Sequence, residues 1–354
     1  MPERTVVLPA SPPPADVHDV ALLDLDGVVY VGPDAVPGAA DAVAAAAARG
    51  LHCVYVTNNA SRPPEKVGAH LRELGIPADD ADVVTSAQLA AGILAGRLSA
   101  GTAVLVVGGE GLVEALTAEG LRPVRSMDDG PEAVVQGFAP DLGWRDLAEG
   151  ARAVRAGLFW VASNLDLTVP TPHGPAPGNG ALVDAVAAAG GRRPDAVAGK
   201  PEARAFRDAA ARAGSERPLA VGDRLDTDLE GARAAGMPGL LVLTGITGIT
   251  ELLRCPPEAR PDLVGRDLEA LLAAHPETVL DEDGRGRCRA ATVAVREGAV
   301  VVEEPGGDAL DLLRASCAAA WSLPESGAGG EAEVDPEPVL AAVRRLEPEA
   351  EWAR

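Results

Sequence analysis

The feature that most constrains the fold is a regular alternation of short apolar segments with helical segments. Residues 20–25 and 52–57 have the length and apolar composition of buried strands. Residues 39–49 and 63–74 have the composition of helices, and Gly50 ends the first of them. Strands and helices that alternate at this spacing are typical of a parallel α/β sheet.

The same alternation continues through most of the chain. It predicts strands at 103–107, 133–136 and 158–162, helices at 112–119, 145–156 and 179–189, a strand at 196–200 that returns to the first group, a helix at 202–213, a strand at 219–221, a helix at 226–235, and closing strands at 239–243 and 262–264. Beyond about residue 275 the pattern changes to a strand pair at 292–303 and a helix at 310–321. Residues 324–338 are rich in Gly, Glu and Pro, which predicts a loop.

Charge and cysteine content restrict the partners that this chain can have. The formal net charge is −22 and no basic stripe is visible, so we expect neither nucleic acid nor a membrane surface as a partner. The four cysteines stand far apart without a CxxC pair, which argues against a disulfide framework and a zinc site. No apolar stretch has membrane-spanning length, and the first residues lack a signal-peptide pattern. We therefore expect a reduced, cytoplasmic protein.

Lysine and asparagine are unusually scarce in this chain. Of the 31 basic residues only Lys66 and Lys200 are lysines, although lysine is normally a common residue. The asparagines are Asn58, Asn59, Asn164 and Asn179. A bias this strong marks the few remaining positions for attention. Lys66 falls on a polar helix face and is expected to be solvated, whereas Lys200 lies in one of the segments described next.

Two carboxylates follow the first predicted strand. Strand alternation places Asp24 and Asp26 on the same side, and Gly27 lets the chain turn away. Ligands of open α/β sheets bind outside the carboxyl ends of the strands, so both side chains would project into a site. They could bind a metal, or one could attack a substrate while the other transfers a proton. For this motif alone, a solvated turn remains an equal alternative.

Two further segments stand between a strand and a helix. Thr57-Asn58-Asn59 offers a hydroxyl, amides and backbone N–H groups, which suit phosphate oxygens, although asparagine also suits a helix N-cap. Gly199-Lys200-Pro201 places a lysine where it can neutralise a transferring phosphoryl group. A solvated turn is the alternative for Lys200, and the scarcity of lysine weakens it.

An acidic segment follows the strand at 219–221. Asp223, Asp226 and Asp228 form a set of hard oxygen ligands suited to Mg²⁺, although Asp226 or Asp228 could instead cap the next helix. Together with the segments above, four strand ends supply a carboxylate pair, a hydroxyl–amide cradle, a lysine and a second acidic cluster. This set is suited to metal-assisted phosphoryl transfer through an aspartyl-phosphate.

The four segments resemble, in order, the four motifs of the haloacid dehalogenase (HAD) superfamily of phosphatases, over about residues 20–270. The insertion between Thr57 and Lys200 resembles the α/β cap of the nitrophenyl-phosphatase-like subgroup. Ser163-Asn164-Leu-Asp166 and residues 177–182 resemble that subgroup's passage from cap to core. With its extra C-terminal segment, the chain resembles the actinobacterial glycerol-3-phosphate phosphatases, whose tail is related to part of an acetyltransferase fold.

The resemblance implies a role for each site residue. Asp24 would attack phosphorus, and Asp26 would protonate the leaving alcohol and then activate water. The residues implied to hold Mg²⁺ are Asp24, Asp26 through its backbone carbonyl, Asp223 and, in support, Asp228. The residues implied to hold the phosphoryl oxygens are Thr57, Asn58, Asn59 and Lys200. Some relatives read the substrate with a histidine at the place of Val169, and here His173 lies four residues further on.

The implied fold class is α/β, with a Rossmann-like parallel-sheet HAD core, an inserted α/β cap and a small α+β C-terminal segment. Residues 1–18 are Pro-rich, which predicts a loose lead-in. The implied boundaries of the other parts are the core at 19–86 and 190–274, the cap at 87–189 and the C-terminal domain at 275–354. The implied activity is hydrolysis of a small phosphomonoester, with glycerol 3-phosphate as the first choice of substrate. The cap surface is a reasonable place for the contact of a homodimer.

Three alternatives stay open at this point. The substrate could be another small metabolite, such as a sugar phosphate, phosphoglycolate or a nucleotide. The chain could be a receiver-like phospho-acceptor module, although such modules are short and lack an insertion. The tail could be an acyltransferase, although no recognisable pyrophosphate-binding loop supports that activity.

Overall fold

A computed structural model describes residues 5–169, 174–296, 299–323, 334–350 and 352, so His173 and most of the predicted loop at 324–338 lie outside the described residues. The strands are β1 (Thr5–Leu8), β2 (Val20–Leu23), β3 (Tyr30–Val31), β4 (Asp34–Ala35), β5 (His52–Thr57), β6 (Val83–Thr85), β7 (Ala103–Val107), β8 (Arg122–Val124), β9 (Ala133–Gln136), β10 (Phe159–Ala162), β11 (Thr168–Val169), β12 (Ala176–Pro177), β13 (Ala196–Val197), β14 (Pro218–Gly222), β15 (Gly239–Val242), β16 (Leu263–Gly265), β17 (Thr278–Leu280), β18 (Arg285–Cys288), β19 (Ala291–Arg296) and β20 (Ala299–Glu304). The helices are α1 (Pro14–Val17), α2 (Ala39–Ala48), α3 (Pro64–Glu73), α4 (Ser86–Ala95), α5 (Glu110–Ala118), α6 (Trp144–Arg155), α7 (Asn179–Gly190), α8 (Ala203–Arg212), α9 (Glu230–Ala235), α10 (Ile249–Arg254), α11 (Ala309–Ala320) and α12 (Glu337–Leu346).

The predicted α/β class is confirmed by parallel strands that alternate with helices. Strands β5, β7 and β9 have the predicted bounds, and the predicted strand pair at 292–303 is present as β19 and β20. In the part of the chain that the structure describes, no helix is long and apolar enough to cross a membrane. The chain divides into two compact units, one formed by residues 1–53 with 214–354 and the other by residues 54–213.

The first unit contains parallel strands in the order β16-β15-β14-β2. Strand β14 pairs with β2 so that Val221 lies opposite Leu23 and Ala220 opposite Leu22. All residues of β2 and β15 are buried, which explains their continuous apolar sequence, because a parallel sheet is covered on both faces. This register brings the carboxyl ends of β2 and β14 side by side.

An antiparallel sheet in the order β1-β17-β18-β19-β20 also belongs to the first unit. Helix α11 packs against β18 and β19, and all of its residues are buried. The expected loose lead-in at 1–18 differs from the structure, in which β1 pairs with β17 and places Thr5 opposite Leu280. The partner of β1 lies far away in the chain, so local sequence does not reveal the pairing.

A buried ionic network links α11 to the parallel strands of the same unit. Arg314, 7% exposed, donates to Asp311 Oδ1 at 3.0 Å and to the carbonyl oxygen of Val264 in β16 at 2.6 Å. His275 Nδ1 lies 3.4 Å from the Arg314 guanidinium, and its Nε2 lies 2.9 Å from the carbonyl oxygen of Ala270. Burial lowers the pKa of His275 and the arginine lowers it further, so the imidazole is neutral at pH 7.

The second unit contains two groups of parallel strands. Strand β5 continues into this unit from the first and pairs with β6, with Thr57 opposite Thr85. The other group follows the order β13-β10-β9-β7-β8, and α6 and α7 pack against each other. The predicted strand at 196–200 was assigned to the first group of strands. In the structure, Ala196–Val197 instead pair with β10, because tertiary packing and not local composition decides which strand becomes the neighbour.

We expect the substitution Arg314→Met to lower the free energy of unfolding by about 3–5 kcal/mol, because it leaves the buried Asp311 carboxylate without its buried cationic partner. Urea unfolding followed by tryptophan fluorescence measures the loss. The control is Arg289→Met, which removes an exposed arginine from the same carboxylate and should cost less than about 1 kcal/mol. Equal losses for the two variants would contradict this account of the network.

Candidate active site

Three carboxylates meet at one place in the first unit. Asp24, Asp223 and Asp228 each offer an oxygen that lies within 4.8 Å of the others. Asp223 and Asp228 are buried, at 0% and 2% exposed, and Asp24 is half-buried. Buried like charges at this separation repel one another, and a bound cation relieves that repulsion. The group has the oxygen ligands that Mg²⁺ prefers.

The sheet register brings these residues together. Asp24 directly follows β2, and its backbone N–H donates to the carbonyl oxygen of Val221 in β14 at 2.9 Å. Asp223 directly follows β14, so the two carboxylates leave neighbouring parallel strands at the same edge. Asp228 belongs to a turn of π-helix at Leu225–Leu229, whereas the sequence predicted one regular helix over 226–235. Single π-turns often occur at functional sites.

Backbone groups hold the two buried carboxylates in place. Asp223 Oδ2 accepts a hydrogen bond from the N–H of Ile246 at 2.7 Å, and Asp228 Oδ2 accepts one from the N–H of Arg224 at 3.1 Å. Gly27 has a φ of +88°, and a Cβ at this position would lie 2.5 Å from Asp223 Oδ2. Glycine is therefore required there both for its backbone conformation and for the close approach of the carboxylate.

The other two predicted acids lie outside this group of carboxylates. Among the described residues, Asp26 is exposed and lies in the turn where the N–H of Gly27 donates to the carbonyl oxygen of Tyr30 at 2.8 Å. Asp226 is also exposed and forms an ion pair with Arg224 at 2.7 Å. Asp228 therefore lies in the cluster, whereas Asp226 lies outside it and caps neither the π-turn nor α9, whose N-caps are Arg224 and Leu229.

The second unit brings together the hydroxyl–amide segment and the lysine. Thr57 is buried at the end of β5, and its Oγ1 accepts a hydrogen bond from the N–H of Asn59 at 3.1 Å. Asn59 Oδ1 accepts from the N–H and the hydroxyl of Ser61, each at 2.8 Å. The Asn59 side chain thus stabilises the turn, whereas the N-cap of α3 is Pro63 and not an asparagine. We call residues 57–62 the cradle loop.

The side chain of Asn58 holds protein groups instead of facing an open site. Its Oδ1 accepts from the backbone N–H of Lys200 at 2.8 Å, and its Nδ2 donates to the carbonyl oxygen of Lys200 at 3.1 Å. The same Nδ2 donates to both carboxylate oxygens of Asp166, at 3.1 and 3.2 Å. Asp166 is therefore a direct partner of Asn58. Sequence reasoning singled it out only as part of the cap-to-core passage, and nothing local shows that it reaches Asn58.

Glycines of the second unit pack directly on the cradle loop. A Cβ at Gly111, in the first turn of α5, would lie 2.6 Å from the carbonyl oxygen of Ala60 and 3.1 Å from the backbone of Arg62. Beside this contact, Lys66 Nζ lies 2.7 Å from Glu110 Oε2. The Lys66 side chain is exposed, as expected, and it also forms this ion pair, which the sequence did not reveal.

Comparison with known proteins places this chain in a family. Residues 21–122 match the haloacid dehalogenase-like hydrolases, and residues 197–271 match a second family described as HAD-hydrolase-like. The D-glycerol 3-phosphate phosphatase of Mycobacterium tuberculosis is 46% identical over 313 residues, which cover 87% of each chain. The chain belongs to the haloacid dehalogenase-like hydrolase family. Residues 288–346 of this HAD protein also match the GCN5-related N-acetyltransferase-like domain.

Two solved HAD structures are similar to this one. The crystal structure of glycerol phosphate phosphatase from Mycobacterium tuberculosis in complex with magnesium has a TM-score of 0.81 and 42% identity, and the match covers 95% of this chain and 99% of that chain. The 4-nitrophenylphosphatase of Thermotoga maritima has a TM-score of 0.68 and 31% identity, and the match covers 73% of this chain and 97% of that chain. The predicted membership in the HAD superfamily and its similarity to the nitrophenyl-phosphatase-like enzymes are confirmed.

We expect Gly111→Ala to destabilise the protein by about 1–3 kcal/mol, because the new methyl group overlaps backbone atoms of the cradle loop. The matched control is Gly92→Ala in α4, where a Cβ would meet nothing within 4 Å. In a helix interior that change should stabilise by about 0.5–1 kcal/mol. Chemical unfolding measures both values. A Gly111→Ala protein as stable as Gly92→Ala would contradict the close packing on the cradle loop.

Proposed function

We propose that this HAD protein is a Mg²⁺-dependent phosphomonoester hydrolase and that glycerol 3-phosphate is its substrate. The observation that carries the proposal is the cluster of three carboxylates, those of Asp24, Asp223 and Asp228, at the carboxyl ends of the parallel strands. The family and the 46% identity to a D-glycerol 3-phosphate phosphatase support the activity and the substrate class. Similarity extends over the C-terminal segment as well, since the match to the magnesium-bound structure covers 95% of the chain.

The donor set fits a magnesium ion. Asp24, Asp223 and Asp228 would hold Mg²⁺ together with the backbone carbonyl of Asp26, all of them hard oxygen ligands. When bound, the ion supplies positive charge that offsets the carboxylates and the phosphoryl oxygens. The side chain of Asp26 lies outside this ligand cluster, and we assign the proton transfer to it.

The chemistry proceeds through two displacements at phosphorus. A carboxylate oxygen of Asp24 forms a bond to phosphorus while the bond from phosphorus to the substrate alcohol breaks, and Asp26 gives its proton to the leaving alcohol. Asp26, now ionised, takes a proton from water as the water oxygen attacks phosphorus. The bond to Asp24 breaks, inorganic phosphate leaves, and both carboxyl groups return to their starting states. The exposed position of Asp26 gives it access to water in the second step.

The phosphoryl oxygens are held by the residues of the cradle loop and by Lys200 in this proposal. The Lys200 ammonium would neutralise charge that develops on the oxygens during transfer, and the Thr57 hydroxyl would donate to one of them. Asn58 and Asn59 belong to the same set, and their side chains are committed to Lys200 and to Ser61. We therefore propose that these two asparagines contribute through the geometry of the loop and its backbone.

Substrate choice is assigned to the inserted segment. We propose that residues 87–189 form a cap over a core made of 19–86 and 190–274, and that the cap selects the alcohol part of the substrate through its shape and a few polar contacts. Val169 stands where some relatives carry a histidine that reads the substrate, so we do not carry the substrates of those relatives over to this chain.

We expect Asp24→Asn to lower kcat by about four orders of magnitude or more, because the amide cannot form the bond to phosphorus. The assay is Mg²⁺-dependent release of phosphate from p-nitrophenyl phosphate. The matched control is Asp41→Asn, the same change at an exposed position in the first turn of α2, which should keep full activity. Full turnover by the Asp24 variant would refute the mechanism. A long-lived acyl-phosphate on Asp24 of the unmodified protein, without turnover, would instead favour a phospho-acceptor module.

We expect glycerol 3-phosphate to have the highest kcat/KM in a panel of sugar phosphates, phosphoglycolate and nucleotides. An advantage of about tenfold corresponds to about 1.4 kcal/mol of transition-state binding, which a few polar contacts can supply. The measurement is phosphate release at fixed Mg²⁺ concentration. If a sugar phosphate ranked above glycerol 3-phosphate, the substrate assignment would fall and the phosphatase chemistry would stand.

A further inference from the structure

Three of the four asparagines form one continuous chain of hydrogen bonds that ends at Lys200. Asn179 Nδ2 donates to the carbonyl oxygen of Asn164 at 2.8 Å. Asn164 Nδ2 donates to the carbonyl oxygen of Asn58 at 2.6 Å. Asn58 Oδ1 accepts from the N–H of Lys200 at 2.8 Å. We call Asn58, Asn164 and Asn179 the amide relay.

Asn164 and Asn179 of the amide relay are shielded from water, and Asn58 is half-buried. Asn164 is 4% exposed and Asn179 is 1% exposed, and Lys200 at its end is 4% exposed. Hydrogen bonds in such surroundings are stronger than in water, and losing one leaves a buried polar group unsatisfied. A change at one member of the relay therefore moves its neighbours instead of being absorbed by solvent.

The side-chain amides of Asn58 and Asn164 each donate one hydrogen bond or more and accept another. Asn58 accepts from Lys200 and donates to Asp166. Asn164 donates to Asn58, and its Oδ1 accepts from the N–H of Asp166 at 3.1 Å. An aspartate at either position could accept but could not donate, and at position 58 it would face the Asp166 carboxylate. This requirement gives a physical reason for keeping asparagine in a chain that has four of them.

The relay ends on a tightly fixed peptide. Asn58 contacts both the N–H and the carbonyl oxygen of Lys200, so the backbone from which the lysine side chain leaves is held on two sides. The preceding Gly199 donates to the carbonyl oxygen of Ser163 at 2.7 Å, and a Cβ at Gly199 would lie 2.7 Å from that oxygen. Two distant segments of the chain are thereby locked side by side at the lysine.

We propose that Asn164 and Asn179 are positioning residues for the phosphoryl-transfer step, and that they act through Asn58 on the placement of Lys200. The inference rests on the proposed function, because it needs Lys200 to contact the phosphoryl group. Neither asparagine touches the substrate in this account. Their contribution is the fixed position of the lysine backbone, and a displacement of about 1 Å at such a group can cost about 10²-fold in rate.

A double-mutant cycle tests the proposal against a purely structural role. The proteins are the full chain, Asn164→Asp, Lys200→Ala and the double variant, and the measurement is kcat/KM for p-nitrophenyl phosphate at saturating Mg²⁺. We expect Asn164→Asp alone to lower kcat/KM by about 10²-fold. In the Lys200→Ala background the same change should have almost no effect, since the group that it positions is gone. Losses that multiply in the double variant would overturn the proposal.

A matched control and a milder variant complete the test. Gln88→Glu also turns an amide into a carboxylate in the second unit. Gln88 Oε1 accepts from the N–H of Thr85, a role that a carboxylate oxygen can keep, so we expect unchanged kcat/KM. If Asn164→Asp does not fold, as judged by thermal unfolding, Asn179→Ala replaces it and should lower kcat/KM by about tenfold, again without effect when Lys200 is alanine. If Asn179→Ala is used in place of Asn164→Asp, folds and keeps unchanged kcat/KM, the proposed positioning role is overturned.

The outcome also separates this inference from the proposed function. An unmodified protein that releases no phosphate from any member of the substrate panel, or a Lys200→Ala variant with full activity, would refute the proposed function itself. An active protein with an impaired Lys200→Ala variant, in which the asparagine changes act independently of the lysine, would refute only the positioning role.

Discussion

Electrostatic repulsion among Asp24, Asp223 and Asp228 is the constraint on which the rest of the structure depends. Their oxygens lie within 4.8 Å of one another at a buried sheet edge, and like charges in such a place are costly without a cation. The parallel pairing of β2 with β14, the backbone N–H groups of Ile246 and Arg224 and the space left by Gly27 hold the carboxylates there. These contacts hold the three carboxylates that we propose as the ligands of the cation.

In our proposal the second unit fixes the position of one cationic side chain, that of Lys200. A lysine side chain is flexible, so its placement depends on its backbone and surroundings. Here Asn58 binds the peptide of Lys200 on both sides, and Asn164 binds Asn58 in turn. The scarcity of lysine and asparagine in this chain is therefore informative, since Lys200 and three asparagines take part in one network.

Much of the fold follows from the sequence, because strand and helix signals are local. Segments 52–57, 103–107 and 133–136 appear with the predicted bounds, and the acids that follow β2 and β14 lie where parallel-strand geometry puts them. Predictions that needed a distant partner differ from the structure. Strand β1 pairs with β17, and Ala196–Val197 pair with β10, because hydrogen-bond partners across a sheet are not encoded near a strand in sequence.

The sequence by itself determined which chemical groups stand at the strand ends, since a buried strand and the polar residue that follows it depend on neighbouring positions. Only the tertiary structure decided how those groups are used. Asp228, in the π-turn, lies in the carboxylate cluster, whereas Asp226 in the same turn pairs with Arg224. Asn58 supports Lys200, because β5 and the segment after β13 are brought together by packing across more than one hundred residues of chain.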